Sequence, residues 1–176
     1  YGLSNIYNVA DASKQFLLKF GKPDSKLNVV VDSGSRIHIT NFTRHTTQAP
    51  SGFVSKLRKH LKGKRLTALR QIPNDRILVL QFADGLYYLV LEFFSAGNVM
   101  LLDENRRILS LQRIVSEHEN QVGESYDMFD ESLFQEQADN NVIETSFSKE
   151  LITSWLDEVY NQSTALANVP QVAGGK

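Results

Sequence analysis

Two apolar runs, DRILVLQF (75 to 82) and LYYLVLEFF (86 to 94), stand three residues apart, and Ala83-Asp84-Gly85 joins them. No other stretch constrains this chain more. An Asp-Gly pair between apolar runs marks a tight hairpin, because both residues tolerate the backbone that such a turn requires. The runs are apolar at consecutive positions, so the sheet they build must be covered on both faces, by another sheet or by helices. NVMLLD (98 to 103) and RILSLQRI (107 to 114) extend it through the turns SAG and ENR, and residues 64 to 72 join at its front.

An earlier meander supplies a second sheet. LSNIYNV, KQFLLKF, LNVVVD and RIHIT are separated by the turn-forming VADAS, GKPDS and SGS. Simple alternation puts Leu3, Asn5, Tyr7 and Val9 on one face. Between the meanders the period changes: Phe53, Leu57 and Leu61 recur every four residues beside Val54, after Pro50-Ser51 and before Gly63. This spacing predicts an amphipathic helix, with Lys56, Arg58, Lys59 and Lys62 on the outer arc. The expected fold is α+β: a β-sandwich of two antiparallel meanders with flanking α-helices.

Beyond Glu117 the chain is acidic and poor in aliphatics, which predicts a loop anchored by Tyr126, Phe129 and Phe134. SFSKELITSWLDEVYNQS then reads as a helix capped by Ser148, with Leu151, Ile152, Trp155, Leu156 and Val159 apolar. ALANVPQVAGGK reads as a terminus or the start of a linker. The domain division expected is residues 1–134, then 135–176 as acidic loop, helix and linker.

With 176 residues the chain can bury a real core. Without cysteine it has no disulfide or thiolate metal site, which fits a cytoplasmic setting. No uninterrupted apolar run is long enough to span a bilayer, so no membrane association is expected. The start, Tyr1-Gly2-Leu3, reads as a fragment of a longer chain. His38, His45, His60 and His118 are scattered, no phosphate-binding glycine loop is present, and nothing selects a nucleophile triad. No cofactor, metal or enzymatic chemistry is expected.

Charge is the functional signal, and the net charge of -1 conceals it. Ser33 to Asn74 holds nine Lys/Arg, three histidines and no acid, whereas Val115 to Tyr160 holds twelve acids and one base, Lys149. Ordinary solvated helices mix signs to gain i,i+4 pairs. Here Lys56, Lys59 and Lys62 repel one another unless a polyanion meets them, and phosphates would do so with counterion release. Candidate phosphate-binding residues are Arg44, Lys56, Arg58, Lys59, Lys62, Lys64, Arg65 and Arg70. Asp75-Arg76 follows Pro73-Asn74 at the entry to an apolar strand, where an ordinary turn would also place such a pair.

LSNIYNVADASKQFLLKF, PSGFVSKLRKHLKGKRLTALRQIPNDRILVLQFADG and YLVLEFFSAGNVMLLDENRRILSLQR together resemble the NFACT-N domain of the NEMF-like nascent-chain elongation factors of ribosome-associated quality control, in a fungal version. The resemblance covers about residues 1 to 134. It implies a fold similar to the N-terminal domain of formamidopyrimidine-DNA glycosylases. It further implies binding to the large ribosomal subunit obstructed by peptidyl-tRNA and contact with an E3 ubiquitin ligase. Recruitment of alanyl- or threonyl-tRNA for mRNA-independent tailing of the stalled chain is also implied. Asp75-Arg76 matches the family's Asp-Arg pair, associated with tRNA handling. Family members begin with a helix carrying a further functional acid, and this chain starts just past it. Two rivals remain open at this stage. One is a DNA glycosylase-like enzyme, disfavoured because Tyr1-Gly2-Leu3 lacks the proline nucleophile and glutamate; the other is a protein-docking domain acting through the acidic segment 117 to 144.

Overall fold

The structure, a computed structural model, describes residues 1–114, 120–135 and 149–167. Tyr1–Gln135 forms one compact unit and Glu136–Lys176 a second. The first meander is a four-stranded antiparallel sheet of β1 (Gly2–Val9), β2 (Ala12–Lys22), β3 (Ser25–Asp32) and β4 (Arg36–Thr40), in sequential order. Helix α1 (Gly52–Leu61) follows. Then comes a five-stranded antiparallel sheet of β5 (Leu66–Gln71), β6 (Ile77–Phe82), β7 (Tyr87–Glu92), β8 (Asn98–Asp103) and β9 (Ile108–Leu111). The α+β fold with two antiparallel meanders is therefore as expected.

The consecutive apolar residues of the second sheet are explained by two separate cores. One face, with Leu80, Phe82, Leu89, Leu91, Val99 and Leu101, packs on Leu3, Ile6, Phe16, Leu18 and Phe20 of the first sheet. Its other face, with Ile77, Val79, Tyr88, Val90, Met100 and Leu102, lies under Tyr126 and Phe129, backed by Leu133 and Phe134. The cover is thus a loop segment and a short 3-10 turn, Glu131–Phe134, rather than a helix. Tyr126, Phe129 and Phe134 anchor it as the sequence predicts.

Strand β1 departs from simple alternation. Leu3 pairs with Phe20 but Asn5 with Lys19, so a bulge at Ser4 inserts one residue. One inserted residue reverses the facing of everything beyond it. Leu3 and Ile6 therefore enter the sandwich core, whereas Tyr7 and Val9 face outward with Leu17 and Val30. The β6–β7 hairpin also differs in detail. Its loop runs from Ala83 to Leu86, between the paired Phe82 and Tyr87, and Ala83, Asp84 and Gly85 all take positive φ.

Two turns that the sequence leaves unrelated meet in space. Gly34, in the β3–β4 turn, and Gly97, in the β7–β8 turn, both have positive φ, and a Cβ on Gly97 would stand 2.1 Å from Gly34 Cα. Only glycine at both positions allows the backbones to touch and join the two sheets at this end. In the second unit, α2 (Lys149–Ala167) forms where expected, with Ile152, Trp155, Leu156 and Val159 exposed. The expected cap Ser148 lies outside the described residues.

Candidate nucleic-acid interface

Helix α1 starts where Ser51 Oγ accepts a hydrogen bond from the Val54 amide at 3.2 Å, a cap typical of serine. Its buried face, Val54, Leu57 and Leu61, is at most 1% exposed and enters the sandwich core. Burying three such side chains stabilises the unit by about 1.5–3 kcal/mol each. Gly63, at φ +80, ends the helix and donates to Leu3 O at 2.7 Å, while Leu3 N–H donates to Lys64 O at 2.8 Å. The helix is thereby fixed to β1. Its outer face is presented rigidly.

Lys56, Lys59 and Lys62 are exposed and recur at three-residue spacing, so they form one stripe. Arg58 is different: its Nε donates to Ile6 O at 2.7 Å and its guanidinium lies 5.0 Å from the Tyr7 ring centroid. It anchors the helix to the first sheet as well as carrying charge. Lys64 is half-buried and Arg65 exposed at the corner where the sheets meet, through the Gly2–Arg65 bridge. Arg70 is exposed on β5 and donates to Leu69 O. Arg44 is half-buried, and its Nε is enclosed with no hydrogen-bond partner among the described residues.

Among the described residues the one ion pair joins Arg36 to Asp32 at 3.8 Å, so no described acid neutralises α1. Three of the four described acids between 120 and 135 are engaged locally. Glu124 accepts from the Gln121 amide, Asp127 from Ser125 Oγ, and Asp130 from the Ser132 hydroxyl and amide. The Ser132 hydrogen bonds, helped by the charge of Arg106, hold the Asp130 carboxyl below its ordinary range. Glu117 and residues 136 to 144 lie outside the described residues. Part of the positive charge has an intramolecular use, since Arg58 and Lys59 fall in the last turn of α1 and complement its dipole. Lys56 does not share it.

His60 packs at the margin of the helix, edge-on to Tyr87 with ring centroids 5.2 Å apart. Burial, and then the charges of Lys59 and Lys56, hold its imidazole below the ordinary value of 6.5. The folded state therefore prefers neutral His60, and the unfolded chain takes the proton first as pH falls. Its contribution to stability should be complete above pH 6.5 and decline as pH drops through that value toward the lowered one. Thermal melts above and below this window should show a step that H60Q reduces. An equal step in the variant would assign it to another group.

Asp75-Arg76 occupies the turn from β5 to β6. Ile72 N–H donates to Ile77 O at 2.9 Å and Asp75 N–H to Ile72 O at 3.1 Å, with Asn74 at φ 58. Asp75 Oδ1 accepts from the Arg76 amide at 2.7 Å, and Phe93 N–H donates to Arg76 O at 2.8 Å. The carboxylate thus helps to close its own turn. The Arg76 guanidinium is exposed and has no partner among the described residues. The two parts of the candidate site do not adjoin along the chain's path: β5, six residues long, separates Arg65 from the turn by roughly 20 Å.

The family model of the NFACT N-terminal and middle domains matches residues 3–168. The chain belongs to that family. It is 66% identical to "Ribosome quality control complex subunit 2" of Saccharomyces cerevisiae over 165 residues, which cover 90% of this chain and 16% of that protein. It is 42% identical to the Schizosaccharomyces pombe protein of the same name, covering 94% and 17%. The human "Ribosome quality control complex subunit NEMF" is 36% identical over 122 residues, covering 68% and 11%. The chain spans about a sixth of the fungal relatives' length. Among solved structures, the N-terminal domain of fibronectin-binding protein PavA from Streptococcus pneumoniae aligns with a TM-score of 0.65 at 18% identity, covering 95% of this chain and 80% of that one. The N-terminal part of the fibronectin/fibrinogen-binding protein from Streptococcus suis gives 0.63 at 20%, covering 71% and 52%. These neighbours share the fold. The likeness to formamidopyrimidine-DNA glycosylases rests on the sequence resemblance alone.

This NFACT N-terminal unit also holds a buried group that the sequence reading missed. Glu92, 8% exposed at the end of β7, accepts a hydrogen bond from the Tyr126 hydroxyl at 3.0 Å. Burial, then the charge and hydrogen bond of Glu92, then the charge of Asp75 push the Tyr126 phenol well above its ordinary value, so it remains a donor. The pair lies beside the Asp75-Arg76 turn, because Glu92 is the register partner of Ile77. A glutamate closing the apolar run YYLVLE was the signal available in the sequence.

Proposed function

We propose that this unit is the RNA-binding module of a ribosome quality control factor. It acts on large ribosomal subunits obstructed by peptidyl-tRNA and recruits alanyl- or threonyl-tRNA for mRNA-independent C-terminal tailing of the stalled chain. The observation that carries the reading is the stripe of Lys56, Lys59 and Lys62, rigidly mounted and unneutralised among the described residues. The names of the fungal and human relatives support the setting. Peptide transfer in this reading belongs to the ribosome, and the unit performs no covalent chemistry. It works in the cytoplasm by positioning aminoacyl-tRNA, and the E3 ubiquitin ligase contact belongs to the longer protein. Titration of this chain with tRNA at two salt concentrations tests it. Affinity should fall steeply with salt, and an affinity indifferent to salt would refute phosphate binding.

Asp75 and Arg76 supply the more specific contact. Arginine gives bidentate recognition of phosphate or a base edge, and the neighbouring carboxylate fixes its backbone and can accept from a base amino or ribose hydroxyl. R76A should reduce tailing or tRNA recruitment by about tenfold or more while thermal melting stays unchanged, because the guanidinium supports nothing in the fold. D75A should also lower the melting temperature, since its carboxylate closes the turn. A matching loss of stability in R76A would return the pair to a structural role.

A further inference from the structure

Around the outer face of the first sheet stand Tyr7, Lys19 and Phe42, which the reading above does not use. Tyr7 on β1 lies with Lys19 Nζ 4.9 Å and the Arg58 guanidinium 5.0 Å from its ring centroid. Its hydroxyl accepts from Asn5 Nδ2 at 2.9 Å. Asn5, Lys19, Asn28 and Thr40 are successive register partners across all four strands, so they form one row on this face. Strand spacing makes that row roughly 14 Å wide. At its far edge the chain leaves β4 and presents Phe42.

Phe42 is 81% exposed. Every other described phenylalanine is at least half-buried. Nor is the ring on a loose end: the Phe42 amide donates to Thr40 Oγ1 at 3.1 Å. Further along, Ala10 N–H donates to His45 O at 2.8 Å and Thr47 N–H to Asn8 O at 3.1 Å, which ties the loop back to the end of β1. The chain from Ser33 to Asn74 that includes it has no acid. The nearest acid before it in sequence, Asp32, is already bonded to Gln15 and paired with Arg36.

An exposed apolar ring in a segment without acids is poorly matched to solvent and well matched to a nucleobase. Base stacking on such a ring tolerates any sequence, and cations alongside meet the phosphates. Unpaired nucleotides expose the base faces that this needs, whereas a duplex buries them. The adjoining row of this face is closed, since Val9, Leu17 and Val30 are at most 8% exposed. We infer that Phe42, with exposed Lys19 on the same row as Thr40, is a stacking platform for unpaired nucleotides of RNA. It is separate from the phosphate-binding stripe of α1, and Arg58 links the two. The inference rests on the RNA-binding reading and specifies which RNA feature this face takes.

The test uses this chain, a short single-stranded oligoadenylate, a blunt RNA duplex and tRNA. F42A should weaken oligoadenylate binding about 5- to 100-fold while leaving duplex binding and thermal melting unchanged. K19E should weaken both ligands. Because Trp155 is the only tryptophan, F42W in a W155F background provides a direct probe, and its fluorescence should be quenched by oligoadenylate but not by the duplex. Unchanged oligoadenylate affinity in F42A, or an unquenched Trp at this position, overturns the platform. So does F42A losing a protein partner while binding oligoadenylate normally. Wild-type protein that binds tRNA but not oligoadenylate also overturns it and leaves the α1 reading intact. Protein that binds neither refutes both.

Discussion

Replacing Lys56, Lys59 and Lys62 together by glutamate should weaken tRNA binding by at least about a hundredfold near 0.1 M salt and lower the salt slope by roughly two to three. Each lysine that neutralises one phosphate contributes slightly under one unit to that slope. The triple glutamine variant should lose the same slope with a smaller drop in affinity, because it removes attraction without adding repulsion. Stability gives the necessary control. All three side chains project into water, and α1 is held by Val54, Leu57 and Leu61, so melting should change little. Glutamate near the helix C-terminus opposes the dipole by about 0.3–1 kcal/mol, which glutamine avoids. An anisotropy titration in which both variants keep the wild-type slope would remove α1 from the interface.

G97A should destabilise the first unit by about 2–5 kcal/mol, a large share of the 5–15 kcal/mol expected for a domain. Two costs combine. A residue with a Cβ at φ +71 loses roughly 1–2 kcal/mol. The added carbon would also meet Gly34 Cα at 2.1 Å and Gly34 N at 2.2 Å, backbone atoms that cannot rotate aside, for about 1–3 kcal/mol more. Gly63 is the internal control. It has φ +80 but nothing within 4 Å of an added Cβ, so G63A should incur the backbone cost alone. Denaturant midpoints for the two variants separate the contributions. Equal shifts would mean that the two turns do not touch.

Much of this architecture can be traced to short-range patterns. Phe53, Leu57 and Leu61, with Ser51 before and Gly63 after, specify α1 because a helix repeats its faces every 3.6 residues and its ends need particular groups. The β6–β7 hairpin follows similarly from two apolar runs around Asp84-Gly85. Alternation failed in β1, where the bulge at Ser4 moved Ile6 inward and Tyr7 outward. Nothing in LSNIYNV marks a bulge, because the extra residue is tolerated only once β2 is alongside.

The site was legible as residue types and less so as geometry. Nine Lys/Arg without an acid from Ser33 to Asn74 pointed to a polyanion, and the lysine stripe of α1 has the expected exposure. That Arg58 would anchor to Ile6 O, 52 residues away, could not be seen. Nor could the buried Glu92–Tyr126 bond beside Asp75, or the exposure of Phe42 among ten phenylalanines.

The amino-acid order by itself determined the elements, their boundaries to within a few residues, and the segregation of charge, since each depends on neighbours within one turn or strand pair. Tertiary structure decided which glycines touch, which of the described cations stay unpaired, and which buried pair lies beside Asp75-Arg76. Those outcomes depend on how two twisted sheets pack across a shared core, bringing together atoms tens of residues apart, and no local pattern encodes that distance.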